Sequence, residues 1–257
     1  MPQRAWPRCA AVGPMKPYRR LAEATAPDGT VLSLFEHDGA CLIRVNGIEL
    51  MSTRRHRSED ALAELACGPL RERAGMAVLI GGLGLGFTLK AALRTLAPDA
   101  RVVVAEIVAE VIDWNRNPAY PLAGETLRDP RVELRHEDVA VTLAEHRRTF
   151  DAIMLDIDNG ADALVTSSNA GLYRLAGIQA ATGALRPGGR LCYWSAADDP
   201  AFVGSLRQSG LEVTRKRIRA HATSGPWHTV YLAESTMGDA RPVAARRSPP
   251  GGVERAP

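Results

Sequence analysis

The residues whose types and spacing could do chemistry fall at the ends of four apolar runs. The first run closes on Ile80-Gly-Gly-Leu-Gly-Leu-Gly86. Glycines at such a place permit a tight turn and a close approach of backbone to a ligand, and the free N–H groups of a helix that begins at once favour electron-rich groups. About twenty residues further on, the second run ends at Glu106, whose carboxylate can accept both hydroxyls of a ribose. The third run ends in His136-Glu-Asp138 and the fourth in Leu155-Asp-Ile-Asp-Asn-Gly160. Ligands of open α/β sheets sit beyond the carboxyl ends of the strands, so Gly82, Gly84, Gly86, Glu106, Asp138 and Asp156 are expected around one crevice. Asp138 suits equally well the N-cap of the helix that follows it. Asp156 and Asp158 are the catalytic candidates: a carboxylate can orient an amine and take its proton, and two close together raise one pKa by mutual repulsion. Asp158-Asn-Gly160 also reads as a simple turn.

Positioning these groups requires strands that alternate with helices. From Met76 onward the pattern predicts strands over 76–80, 102–106, 132–136, 152–156 and 190–194. Helices are expected over 87–96, 108–115, 139–146, 172–185 and 201–209, and a terminal strand pair over 211–218 and 228–233. Parallel strands need crossover helices, which gives a doubly wound, mainly parallel α/β sheet ending in an antiparallel hairpin. Before it, Val31–Phe35 and Cys41–Val45 alternate between turn signals at Asp28-Gly29, Asp38-Gly39 and Asn46-Gly47, the mark of a small antiparallel meander. A helix with Ser58 as N-cap and an acidic first turn joins the two parts. The division expected is residues 1–16 disordered, 17–56 a small β region, 57–234 the cofactor-binding domain and 235–257 a disordered tail.

Composition excludes several classes. The 257 residues carry a formal charge of +3 with the two signs interspersed, so nucleic acid is not an expected partner. The four cysteines, Cys9, Cys41, Cys67 and Cys192, form no CxxC pair and no zinc spacing, so no metal and no disulfide framework is expected. No apolar run approaches the roughly 20 residues that cross a bilayer and no signal-peptide core is present, which points to a cytoplasmic protein away from membranes. His56, in Arg54-Arg-His-Arg57, reads as part of a solvated linker, His228 as a packed or capping residue, and Tyr173 as core. Trp194, Ser195 and Asp198 follow the fifth strand and are site candidates by position.

The chain resembles the spermidine synthase family, whose core is the Rossmann-like fold of class I methyltransferases. The stretches that carry the resemblance are Glu49-Leu-Met-Ser52, the glycine turn, Val103-Val-Ala-Glu106, Asp129-Pro-Arg-Val132, Glu137-Asp138, Phe150-Asp-Ala-Ile-Met-Leu-Asp156 and Leu185-Arg-Pro-Gly-Gly189. The resemblance implies that Gly82, Gly84 and Gly86 wrap the methionine-derived part of S-adenosylmethionine or its decarboxylated form. It further implies that Glu106 holds the ribose, Asp138 meets the adenine amino group and Asp156 orients an acceptor amine. The family's glycine turn also carries an aspartate that binds the amine of an aminopropyl donor, and at that place stands Gly84. The family's Asp-Ser-Ser-Asp-Pro loop is here Asp156-Ile-Asp-Asn-Gly160, and its Tyr-His-Glu stretch falls on Ala61-Leu-Ala-Glu64. The expected activity is therefore alkyl transfer, methyl over aminopropyl, to a small molecule bearing an amine or hydroxyl, with a homodimer left open. Two other readings fit the same residues: an NAD-dependent oxidoreductase, which lacks a Tyr-x-x-x-Lys pair here, and a catalytically silent cofactor-binding or interaction protein.

Overall fold

The structure, a computed structural model, describes residues 17–157, 169–221 and 224–235. Strands β1 (Arg19–Thr25), β2 (Val31–His37), β3 (Ala40–Val45) and β4 (Ile48–Ser52) pair antiparallel in chain order as a four-stranded sheet. Its hairpins turn where expected. Asp38 and Gly39 have φ of 51° and 76°, and Asn46 and Gly47 have 50° and 79°. Two successive left-handed residues give the turn whose twist matches the strands it joins.

A second sheet holds β5 (Ala77–Gly81), β6 (Arg101–Glu106), β7 (Val132–His136), β8 (Phe150–Leu155), β9 (Leu185–Ser195), β10 (Leu211–Arg219) and β11 (Trp227–Ser235), in the order β10-β11-β9-β8-β5-β6-β7. β7, β6, β5, β8 and β9 run parallel, and β11 lies antiparallel between β9 and β10. The α-helices among the described residues are α1 (Arg57–Cys67), α2 (Phe87–Thr95), α3 (Ala109–Arg116), α4 (Val139–Glu145), α5 (Leu175–Ala184) and α6 (Pro200–Gln208).

Successive side chains of a strand point to opposite faces, and here both faces are buried, which is why the strands read as unbroken apolar runs. Val78, Ile80, Val102, Val104, Ala152 and Met154 enter one core with residues of α1, α2 and α3; the small sheet joins it through Leu32, Leu34, Ile43 and Val45. Ala77, Leu79, Val103, Ile153, Leu155 and Tyr193 enter the other with residues of α4, α5 and α6. Each fully buried Val, Leu or Ile contributes about 1.5–3 kcal/mol. Two layers of this size hold the strand ends of the central sheet rigidly.

Three expectations are corrected. The helix expected over 172–185 is a 3-10 turn at Asn169–Tyr173 followed by α5, and Leu185 already belongs to β9. A Cβ on Gly177 would lie 2.5 Å from the Leu172 Cα, so α5 packs directly on the turn before it and the two do not fuse. Ser58 is not the N-cap of α1. His56 stands there, Asp60 N donates to its carbonyl at 3.0 Å, and Ser58 is fully buried inside the first turn. Nor is His56 part of a solvated linker: its ring stacks on Phe87 at 4.0 Å and its Nδ1 lies 2.9 Å from Asp60 Oδ2. The chain segments 1–16 and 236–257, expected to be disordered, lie outside the described residues, as does Asp158. No described helix is long and apolar enough to cross a membrane.

Candidate active site

The chain runs from β5 outward through β6 to β7, then returns to place β8 on the other side of β5. The crevice between such diverging connections is where doubly wound sheets take their ligands. β5 ends in the glycine turn, with φ of 86° at Gly82, 51° at Gly84 and 80° at Gly86. The turn needs glycine for space as well as for angle. A Cβ at Gly82 would run into the Asp156 carbonyl oxygen, and one at Gly84 would lie 2.7 Å from Met51 Cε. Leu83 and Leu85 point into the core, 5% and 3% exposed, so the turn faces the crevice with backbone alone.

Glu106 closes β6 against this turn. It is 7% exposed; its Oε2 accepts Leu83 N–H at 2.8 Å and its Oε1 accepts Val108 N–H at 2.9 Å. Burial pushes its carboxyl up, against the downward pull of these backbone donors. The backbone N–H groups of Gly84 and Ile107 pull in the same direction. Asn115 pins the same turn from α3: its Nδ2 donates to Gly84 O at 2.8 Å and its Oδ1 accepts Ala123 N–H at 3.2 Å. Asp138 caps α4, accepting Ala140 N–H at 2.9 Å, and lines the crevice, so its two expected placements coincide.

Asp156 follows β8 directly. Its Oδ2 accepts Thr88 Oγ–H at 2.5 Å, in the first turn of α2. Gly82, Gly84, Glu106, Asp138 and Asp156 thus line one crevice, with Ala105, Val108 and Ile157 as apolar walls. Leu32, Ile43, Leu50 and Met51 of the small sheet close its other side. Gly86 stands apart from the lining, as the N-cap of α2 packed on Ala123.

A second carboxylate neighbours Asp156, and Thr88 reaches both residues, its Oγ 2.5 Å from Asp156 Oδ2 and 3.5 Å from the Glu59 carbonyl oxygen. Glu59, from the first turn of α1, is 6% exposed and accepts Ser58 Oγ–H at 2.5 Å; Ser58 Oγ is also 2.8 Å from His228 Nδ1. Burial raises both carboxyl pKa values, and the charge of Asp156 raises that of Glu59 further. Burial, helped by Arg55, lowers His228 to about 4. Glu59, Thr88, Asn115 and Met51 were not singled out in the sequence. The acidic first turn was visible, but it reads as an ordinary complement to the helix dipole. Glu64, the glutamate on which the resemblance fell, is exposed.

The later candidates lie elsewhere. Trp194 and Ser195 are 6% and 4% exposed in the core, Asp198 pairs with Arg215 at 2.9 Å, and Tyr173 packs as expected among Tyr193 and Phe202. His228 is packed edge-on against Trp194 at 4.6 Å. Among the described residues no group of His, Cys, Asp or Glu is placed to hold a metal.

Strand order, the terminal antiparallel hairpin and the position of the crevice define a methyltransferase-like α/β fold. Solved structures narrow this to a spermidine synthase-like fold. A spermidine synthase in complex with the transition-state analogue AdoDATO is 18% identical over 86% of this chain and 73% of its own, with a TM-score of 0.65. Spermidine synthase from Thermotoga maritima is 18% identical over 86% and 74%, with a TM-score of 0.66. A probable spermidine synthase from Corynebacterium glutamicum is 17% identical over 84% and 79%, with a TM-score of 0.58. No family model matches the chain, and no curated protein matches it.

Proposed function

We propose that the protein is a spermidine synthase-like transferase that moves an alkyl group from an adenosyl-sulfonium donor to an amine- or hydroxyl-bearing small molecule. The observation that carries this reading is the convergence of the glycine turn, Glu106, Asp138 and Asp156 on one crevice at the switch point of the sheet. The residues fit such a donor. The turn is a cradle that any Cβ at Gly82 or Gly84 would fill, and the buried Glu106 carboxylate beside it is an acceptor for ribose hydroxyls. Asp138 would accept from the adenine amino group. The Met51 side chain leans on Gly84, so a nucleoside seated on the turn would turn it aside. Methionine, unbranched and with three rotatable bonds, suits that task.

A bound sulfonium donor supplies an activated carbon whose bond to sulfur breaks as the acceptor's bond forms. What remains to the protein is alignment, exclusion of water and removal of one proton. Asp156 is the acceptor's partner in this reading. Methyl transfer is favoured over aminopropyl transfer because the turn holds no acidic side chain for a donor ammonium, while its backbone can receive a donor carboxylate. Aminopropyl transfer is the second reading, favoured by the carboxylates of Asp156 and Glu59, which could hold a cationic arm instead. Incubation with S-adenosylmethionine or its decarboxylated form and a panel of small amines, read by mass spectrometry, tests both. Methylated product with the intact donor is the expected result, spermidine from putrescine selects the second reading, and no product with any pair overturns both.

A further inference from the structure

Three distant segments bring polar groups to Asp156 or to its neighbour Glu59. Ser58 and Glu59 come from α1, Thr88 from α2 and His228 from β11. Ser58 Oγ lies 2.5 Å from Glu59 Oε2 and 2.8 Å from His228 Nδ1, and the imidazole packs edge-on against Trp194. This arrangement costs stability, because buried carboxylates without a cation are expensive and apolar side chains would pack there at no such cost. Two carboxyls kept together under that penalty need a use.

We propose that Glu59 is a positioning residue for the transfer: seated by Ser58 and His228, it couples to Asp156 so that the two carboxyls act as one proton-accepting pair. The proposal rests on the reading of the crevice as an alkyl-transfer site. An amine acceptor arrives as R–NH3+, and its lone pair is free only after one proton has left. That proton passes to Asp156, the amine nitrogen then bonds to the donor's alkyl carbon, and the carbon–sulfur bond breaks with its electron pair left on sulfur. Charge balances, since one sulfonium and one ammonium become a thioether, a substituted ammonium and a proton held by the pair. A lone aspartate is a poor base for an ammonium. A doubly ionised pair takes up its first proton far more readily, because repulsion between the carboxylates is relieved.

The arginines of β9 and β10 are engaged elsewhere. Asp60, on the same helix, adds negative charge and is itself tied to His56 and Arg94. Thr88 is the uncharged partner from α2. Arg190 of β9 is spent on the Leu65 carbonyl and Glu234, Arg215 of β10 on Asp198, and Arg217 and Arg219 lie over the Trp227 ring. His228, held neutral, contributes no charge at working pH, and Arg55 acts on His228.

Glu59→Gln and Glu59→Asp, compared with the native chain, test the proposal through the pH profile of transfer and through carboxyl-carbon NMR titration of the resting protein. Glu59→Gln is expected to reduce the pair's two coupled titration steps to one. The ionisation that limits the rate should move to lower pH by about one unit, and the plateau rate should fall about tenfold, with donor affinity unchanged within about twofold. Glu59→Asp, which keeps a second carboxyl, should return the profile toward the native one. A donor-binding, active protein whose profile Glu59→Gln leaves in place, or lowers uniformly at every pH, overturns the proposal alone. A native chain that binds no adenosyl donor overturns the reading on which it rests.

Discussion

Glu106 and Asp156 stand at the ends of β6 and β8, the two strands that flank β5, and the glycine turn lies between them. Both are acids drawn out of water, and they are held in different ways. Glu106 is solvated by its own neighbourhood, with backbone N–H groups of Leu83 and Val108 on its two oxygens. Asp156 has one hydroxyl from Thr88, 68 positions away in the chain, and a second carboxylate nearby in place of a donor. Fixed dipoles supplied by the backbone make Glu106 a rigid acceptor, although burial still pushes its carboxyl up. Asp156, with fewer donors and a like charge beside it, is poised to take up a proton. One crevice thus has an end suited to binding and an end suited to proton transfer.

Substitutions that blur this contrast should have the largest effects. Gly82→Ala strikes both ends, since its φ of 86° resists any Cβ and that Cβ would meet the Asp156 carbonyl. The angle alone costs on the order of 1–3 kcal/mol. A marked fall in the urea midpoint and loss of donor binding are expected; an unchanged midpoint would mean that the turn is looser than described. Asp156→Asn removes only the proposed proton acceptor. Transfer should drop by about 100-fold or more, while donor affinity stays within a few-fold, as single-turnover kinetics and binding curves can separate. Equal losses in both would place Asp156 at the binding end.

Smaller effects sharpen the picture from the side of stability. Asn115→Ala leaves the Gly84 carbonyl and Ala123 N–H unpaired, at a cost of about 1–3 kcal/mol in chemical denaturation. Asp138→Ala forfeits an N-cap, about 1 kcal/mol, and a loss near zero would show α4 capped by other means. His228 supplies a pH test. Its folded pKa of about 4 lies below the ordinary 6.5, so between these values the unfolded chain binds a proton that the folded chain refuses, and stability falls as pH drops through that window. His228→Gln should flatten this part of the melting-temperature curve. A carboxyl whose pKa is raised by folding acts in the opposite sense, costing stability as pH climbs above the ordinary carboxylate range. Glu59→Gln should therefore stabilise more at pH of about 8 than at about 5.

The geometry of the glycine-turn end was legible in the chain because its parts are local. A strand, a glycine turn and a helix are contiguous, and an acid about twenty residues on lies one crossover away, where parallel neighbours bring strand ends together. The hairpins of the small sheet were legible for the same reason, through Asp-Gly and Asn-Gly pairs. The other end is assembled across the fold. Ser58 and His228 are 170 positions apart, and nothing in Ser58-Glu-Asp60 distinguishes a buried pair from a solvated first helical turn. Ser58 was accordingly expected as a cap and His56 as linker, since residue type and order carry no record of which face of α1 the sheet will cover. The contact of Met51 with Gly84 was hidden likewise, because it joins two sheets.

The central claim is that the glycine turn and Glu106 form the nucleoside end of an adenosyl-donor site. Isothermal titration of the native chain and of Glu106→Ala with S-adenosylmethionine, its decarboxylated form and NAD tests it most directly. The native chain should bind the two sulfonium donors, the intact one at least as tightly, in preference to NAD. Glu106→Ala should lose on the order of 1–3 kcal/mol of that binding, the range for hydrogen bonds to a charged group. Curves that Glu106→Ala leaves unchanged, or tight binding of NAD with none of either sulfonium donor, would contradict it.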